Sequence, residues 1–259
     1  NPADPADFIL VKDLVHFEVS RTYMNGELVA DNGISNIKSV ATNPINNFDC
    51  KKIEANVLVI SENEYPNKNG LIPVIEALDG QLITNKLMLA GSLQNGNWVT
   101  DTTNDILKIV VVNRYHAAPI AKAFIKNFSL TQGAIASSVA HDSHNIVAVG
   151  VDDASIAAAI NLVIEAQGGV SVVSGANNSA VNNPNSLVLP LPVAGLMSSA
   201  DGFEVADKYT TIDLAAKALG SKLQAPFMTL SFMALLVIPH LKLSDKGLFN
   251  GDDFNFDIF

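Results

Sequence analysis

Two of the chain's five histidines stand three positions apart in the run His141-Asp142-Ser143-His144-Asn145. An imidazole exchanges protons near neutral pH, and a neighbouring carboxylate can orient it. This run could therefore act as a general acid or base, with His141, Asp142 and His144 as the candidate catalytic groups. Two imidazoles and a carboxylate could also begin a site for zinc or a related metal. On a turn their spacing does not aim both rings at one point, and no fourth ligand lies nearby. A self-contained metal site thus ranks below proton transfer or substrate contact. Ser138, Ser143 and Asn145 are candidates for contact with a substrate. Ser137 and Ser138 lack the Gly-x-Ser-x-Gly elbow that would make either a nucleophile. Arg114 and His116, in Asn113-Arg-Tyr-His, follow an apolar run and complete the candidate set, because functional residues often sit at strand ends. The competing readings are a polar hairpin tip for the first cluster and a solvated loop for the second.

These groups need elements to hold them. Residues 134–140 and 146–149 are apolar runs with β-branched members, bounded by Gly133 and Gly150. They read as two buried strands meeting at the His-Asp-Ser-His turn. Ile106–Val112 reads as a buried strand delivering Arg114. Asp152-Asp153 should cap a helix to about Gln167, with Ile156, Ala159, Ile160, Val163 and Ile164 at helical spacing. Pro119 is expected to open a second helix over 120–127. A third is expected over 204–219, stopped by Gly220. Further strands are expected at 7–11, 17–24, 27–30, 56–60, 82–89, 170–173 and 187–191. Asn25-Gly26 and Asn95-Gly96 are turn signals. Residues 175–185 read as an Asn-rich loop. Residues 232–239 read as a buried strand or helix segment, and the acidic, aromatic tail from Asp252 as a pendant strand. Strands interleaved with helices give an α/β or α+β class: a mixed β-sheet domain with covering helices. The three opening strands expose one apolar face and need a cover supplied from elsewhere.

The chain has 259 residues, 48% hydrophobic and 16% charged, enough for a sizeable core. No apolar run reaches the length of a membrane span. A net charge of −10 disfavours nucleic-acid or anionic-membrane binding through a basic surface. One cysteine, Cys50, excludes an internal disulfide and suits a reducing cytoplasm.

Residues 133–150, Leu189-Pro-Leu-Pro-Val-Ala-Gly-Leu-Met and Pro226-Phe-Met-Thr-Leu-Ser-Phe resemble the C-terminal part of the adenine deaminase family, within the amidohydrolase superfamily. Ile238-Pro, Leu241-Lys-Leu and Asp245-Lys-Gly-Leu fit the same family, so the resemblance covers roughly residues 54–249. Asp4-Pro-Ala-Asp-Phe-Ile-Leu-Val and Thr22-Tyr-Met-Asn-Gly-Glu-Leu-Val-Ala resemble the strands that follow an amidohydrolase barrel and complete its small β-sandwich. Leu236, where the family has Pro, and His240, where it has Glu, depart from the pattern. The resemblance implies three parts: sandwich strands over 1–35, a linker over 36–53, and a C-terminal α/β domain over 54–259. It also implies hydrolytic deamination of adenine to hypoxanthine and ammonia. A divalent metal (manganese, iron or zinc) would be held by a (β/α)8 barrel that this chain does not contain. On that reading the chain is a fragment, inactive alone. Its partners are adenine, the barrel and further copies of itself in a homo-oligomer, in the cytoplasm. The His-Asp-Ser-His turn would face the barrel mouth. The alternative is a non-catalytic accessory module that binds a purine or drives oligomerisation.

Overall fold

A computed structural model describes residues 3–38, 40, 43–175 and 186–256, and the chain divides into two compact units, Asn1–Asn43 and Pro44–Phe259. The expected loop at 175–185 lies outside the described residues beyond Gly175, as do the last three residues of the tail.

The first unit is an antiparallel meander of β1 (Phe8–Val11), β2 (Val19–Met24), β3 (Glu27–Asp31) and β4 (Ile34–Ser35), paired in chain order. Asn25 and Gly26 turn β2 into β3 with φ of 49° and 79°, the left-handed pair that matches the twist of a tight hairpin. The Asp7 carboxylate secures this turn by accepting the Asn25 N–H at 2.6 Å. Phe8 stacks on Tyr23 across the β1–β2 pair, with centroids 4.6 Å apart. Phe8, Ile9, Leu10, Val19, Met24 and Ile34 nevertheless remain exposed.

The second unit is built on an eight-stranded sheet. Its strands are β6 (Leu71–Ala77), β7 (Thr84–Ala90), β10 (Ile106–Val112), β11 (Ala121–Lys126), β12 (Ala134–Ser137), β13 (Ile146–Gly150), β14 (Gly169–Val173) and β15 (Ser186–Pro190). They lie in the order β15-β14-β12-β13-β10-β11-β6-β7, and only the β6–β11 pair is parallel. Two small sheets flank it: β5 (Ile60–Ser61) with β9 (Asn97–Val99) and β8 (Ser92–Gln94), and the hairpin of β16 (Leu241–Ser244) and β17 (Gly247–Asn250). This is the mixed sheet with covering helices that the sequence leads one to expect.

The central strands read as continuous apolar runs because both sheet faces are covered. Val110, Val112, Ala134, Ala136, Ile146 and Ala148 face α1 (Asp153–Glu165). The intervening Ile109, Val111, Ile135, Val147 and Val149 join the opposite core with α2 (Gly202–Ala218), α3 (Pro226–Ser231) and the β16–β17 hairpin. Asp152 caps α1 as expected, accepting from the Ser155 N–H and hydroxyl, both at 2.7 Å. Gly150 lets α1 approach closely, since a Cβ there would lie 2.5 Å from Ala134 Cβ and 2.7 Å from Ile156 Cγ1. Beneath α1 the buried Lys108 ammonium donates to Leu58 O at 2.9 Å and pairs with Asp153.

Four expectations are corrected. The helix over 120–127 is the strand β11, because pairing to β10 on one side and β6 on the other outweighs the helix preference of Ala and Lys. The strand over 56–60 is a 3-10 turn, Ala55–Leu58, that reaches only the two-residue β5. Residues 232–240 form successive turns rather than a strand or helix. The tail from Asp252 also turns, meeting the hairpin through an Asn250–Asn255 bridge with Phe254 and Phe256 on the Phe249 ring. Strand β6 was not foreseen. Among the described residues no helix is long and apolar enough to cross a membrane.

Candidate functional site

Strand register brings the candidate residues together. Val112 pairs with Ile146, Ser137 with both Val147 and Val170, and Gly169 with Pro190. The loops after β10, between β12 and β13, before β14 and after β15 therefore leave the same end of the sheet. Arg114, the His141–Asn145 run and Ala194-Gly195 meet there.

The loop between β12 and β13 is held from below. The Ser138 hydroxyl is fully buried. It donates to Gly195 O at 2.6 Å and accepts the Gly169 N–H at 2.8 Å. Asn145 is buried too, and its Oδ1 accepts the Arg114 backbone N–H at 3.3 Å. Both side chains thus serve backbone groups and fix the loop's two ends. Between them, His141 N–H donates to Ser231 O at 2.9 Å, and the His141 ring stacks on Phe232 at 5.1 Å and 22°. His144 takes a left-handed φ of 53° and donates its N–H to Ala140 O at 2.7 Å. The two imidazoles meet edge to face, 5.9 Å apart. Asp142 and Ser143 are exposed, and so is His116, whose backbone N–H is held by Asn113 Oδ1 at 3.3 Å.

Arg114 is buried beneath this loop. It donates to Ala194 O at 2.8 Å, to the Tyr115 hydroxyl at 3.0 Å and to Asn46 Oδ1 at 3.4 Å. Its guanidinium lies over the rings of Phe48 and Tyr115, at 5.5 and 4.7 Å. Gly195, with φ of 71°, is required here, since a Cβ would overlap the guanidinium. Two buried nitrogens in this region have no hydrogen-bond partner among the described residues, Nε of Arg114 and Nδ1 of His144. Burial pushes the His144 pKa below the ordinary 6.5, with His141 and Arg114 adding to the effect and Asp142 opposing it. His144 is therefore neutral near pH 7 and can accept a proton.

The loop separates two cavities. One, about 440 Å3, is largely apolar and lies under α2 and α3, with Ser137, Val139, His141, Tyr209, Phe227 and Ser231 in its wall. The other, about 470 Å3, has Asp142, Ser143, Asp245, Lys246, Phe249 and Phe254 in its wall. Among the described residues no group of three or more His, Cys, Asp or Glu could hold a metal ion.

Residues 81–255 match the family described as the adenine deaminase C-terminal domain. The chain belongs to that family. It is similar to proteins named adenine deaminase from Borreliella afzelii (44% identity over 98% of this chain), Methanosarcina acetivorans (47% over 98%) and Salinibacter ruber (45% over 98%). It covers 44%, 45% and 44% of those proteins, so it spans less than half the length of these curated relatives. The family match takes in the whole sheet end from Arg114 to Gly195 and the α3 segment beneath His141. Sequence reasoning found the histidine loop and Arg114 but missed Tyr115, Ser231 and Phe232. Tyr115 adjoins Arg114 and could have been noticed. Ser231 and Phe232 lie at least ninety positions from His141, and nothing local signals their contact.

Proposed function

We propose that the chain is the C-terminal portion of an adenine deaminase, and that its His141–Asn145 loop closes over the substrate in the complete enzyme. The observation that carries this reading is the 44–47% identity, over 98% of the chain, to proteins that bear that name. The reaction is hydrolytic: water adds at the purine carbon bearing the amino group, the C–N bond breaks, and hypoxanthine and ammonia leave. A divalent metal, when bound in the amidohydrolase barrel, would activate the water. Manganese, iron and zinc all suit that role. This chain's own part lies in proton transfer and contact with the substrate. Neutral His144 can take up a proton, the exposed Asp142 can accept a hydrogen bond from an amino group, and His141 is held flat against Phe232 at the rim of the apolar cavity. Ser138 and Asn145 contribute by fixing the loop, and Arg114 by supporting it. The strands within residues 1–35 complete the β-sandwich of the barrel half, and residues 36–53 lead from them into the sheet domain over 54–259. The enzyme works in the cytoplasm as a homo-oligomer.

The test is adenine turnover by the full-length enzyme carrying His141→Ala or His144→Ala. Loss of a general acid or base is expected to lower kcat by roughly 100-fold or more. Unchanged kinetics for both variants would remove the loop from the reaction. A second reading, an accessory purine-binding module, draws on the 440 Å3 cavity, which is large enough for a heterocycle. It predicts that the isolated chain binds adenine without converting it, and that the loop variants leave turnover in the full-length enzyme intact.

A further inference from the structure

We propose that Tyr115, clamped between the Arg114 guanidinium and the Ser143 carbonyl, is the positioning residue that sets His144 in its loop. The relay is continuous. Arg114 Nη2 donates to the Tyr115 hydroxyl at 3.0 Å, and that hydroxyl donates onward to Ser143 O at 2.8 Å. On the other side of His144, Asn145 Oδ1 accepts the Arg114 backbone N–H at 3.3 Å. The residues before and after His144 are therefore both tied to the Arg114-Tyr115 pair. His144 itself has a left-handed backbone, a conformation uncommon for a non-glycine residue.

The anchor of the relay cannot shift easily. Arg114 is buried, packed over Phe48 and Tyr115, bonded to Ala194 O, and closed in by Gly195, where even a methyl group would overlap it. Among the described residues Arg114 forms no ion pair with a carboxylate. Its charge is spent on carbonyl, amide and hydroxyl oxygens, so the Tyr115 hydroxyl is one of the few groups that links it to the loop. The charged and titratable groups that act on His144 are His141, Arg114 and Asp142. Releasing Ser143 would change the distance of His144 to each of them and let water reach its buried Nδ1. Tyr115 does not need to touch a substrate for this role.

The proposal shares with the functional reading only the premise that His144 matters, so the test has two independent arms. In the first, the imidazole resonances of His144 are followed by NMR through a pH titration of this chain and of Tyr115→Phe. The unmodified chain should titrate below the ordinary 6.5. In Tyr115→Phe the midpoint should move up toward that value, while amide exchange at residues 142–146 accelerates and the rest of the sheet keeps its protection. An unchanged midpoint with unchanged exchange overturns the proposal. In the second arm, the full-length enzyme carrying Tyr115→Phe is assayed for adenine turnover. A loosened loop is expected to lower kcat on the order of 10- to 100-fold, with KM moving much less. A shifted His144 midpoint with unaltered kcat upholds the positioning role and overturns the catalytic reading of the loop. Arg114→Lys keeps the charge but loses the fork that reaches Tyr115, and should reproduce the upward shift. If that variant unfolds, the Tyr115→Phe titration still decides the matter.

Discussion

The sharpest single-residue consequence lies at Lys242, outside the loop. Its side chain is fully buried and donates to Leu82 O at 2.7 Å and Phe232 O at 3.1 Å, with no carboxylate partner among the described residues. It thus ties down the turn whose ring carries His141. Burial lowers its pKa from the ordinary 10.5 to about 8. Between those values the unfolded chain binds more protons than the folded one, so stability rises with pH across the window and the penalty is complete below it. A shift of that size corresponds to about 3 kcal/mol. Urea unfolding at about pH 7 and about pH 10 should show this gain in the unmodified chain and lose it in Lys242→Met. A buried lysine in Leu241-Lys-Leu-Ser was not legible in the sequence, because the carbonyls that hold it belong to Leu82 and Phe232, outside its own strand. The histidine loop was legible because Asp, Ser and Asn suffice for a turn and two imidazoles exceed that need. Tyr115 was not, because its value comes from Ser143, a residue that only register brings near.

Among the elements, α1 was read almost to its ends. Asp152 announced its start, and isoleucines and alanines at helical spacing announced its buried face. The cap can be tested directly. Asp152→Ala removes the acceptor for the Ser155 N–H and strands a fully buried Ser155 hydroxyl, at an expected cost of about 2 kcal/mol. Asp152→Asn keeps an acceptor and should recover more than half of that, by the same unfolding measurement. The misread elements share a cause: their partners are distant in sequence. In Ala-Lys-Ala-Phe-Ile-Lys, alternation is hidden by residues that favour helix, and only the strands on both sides turn it into β11. β6 carries Pro73, a residue that argues against a paired strand. It is tolerated because β11 joins only from Val74 onward, so the missing N–H costs no bond on that side.

At the scale of the whole molecule, the two compact units make different demands. The second holds both hydrophobic cores, whereas the first leaves Phe8, Ile9, Leu10, Val19, Met24 and Ile34 exposed. Removing residues 1–43 should leave the far-UV spectrum of the sheet domain and its cooperative thermal transition in place. It should also lower the binding of a dye that reports exposed apolar surface. The unit boundary at 43/44 was not legible, since the polar stretch before Glu54 reads as one linker. Asn46 and Asp49 are in fact bonded to Gln167 O and Arg114 O. The parallel seam between β6 and β11 has a consequence of its own. It is closed by three residue pairs, Val74–Phe124, Ile75–Ile125 and Glu76–Lys126, and it joins strands farther apart along the chain than any other neighbours in the sheet. The chain on either side pairs through nearer partners, so this seam is expected to close after them, which pulse-labelled amide exchange on β6 and β11 during refolding would check. A nascent chain arrested before that closure would carry a finished histidine loop on a half-built sheet, with the flank of β11 open to pair with a neighbouring molecule.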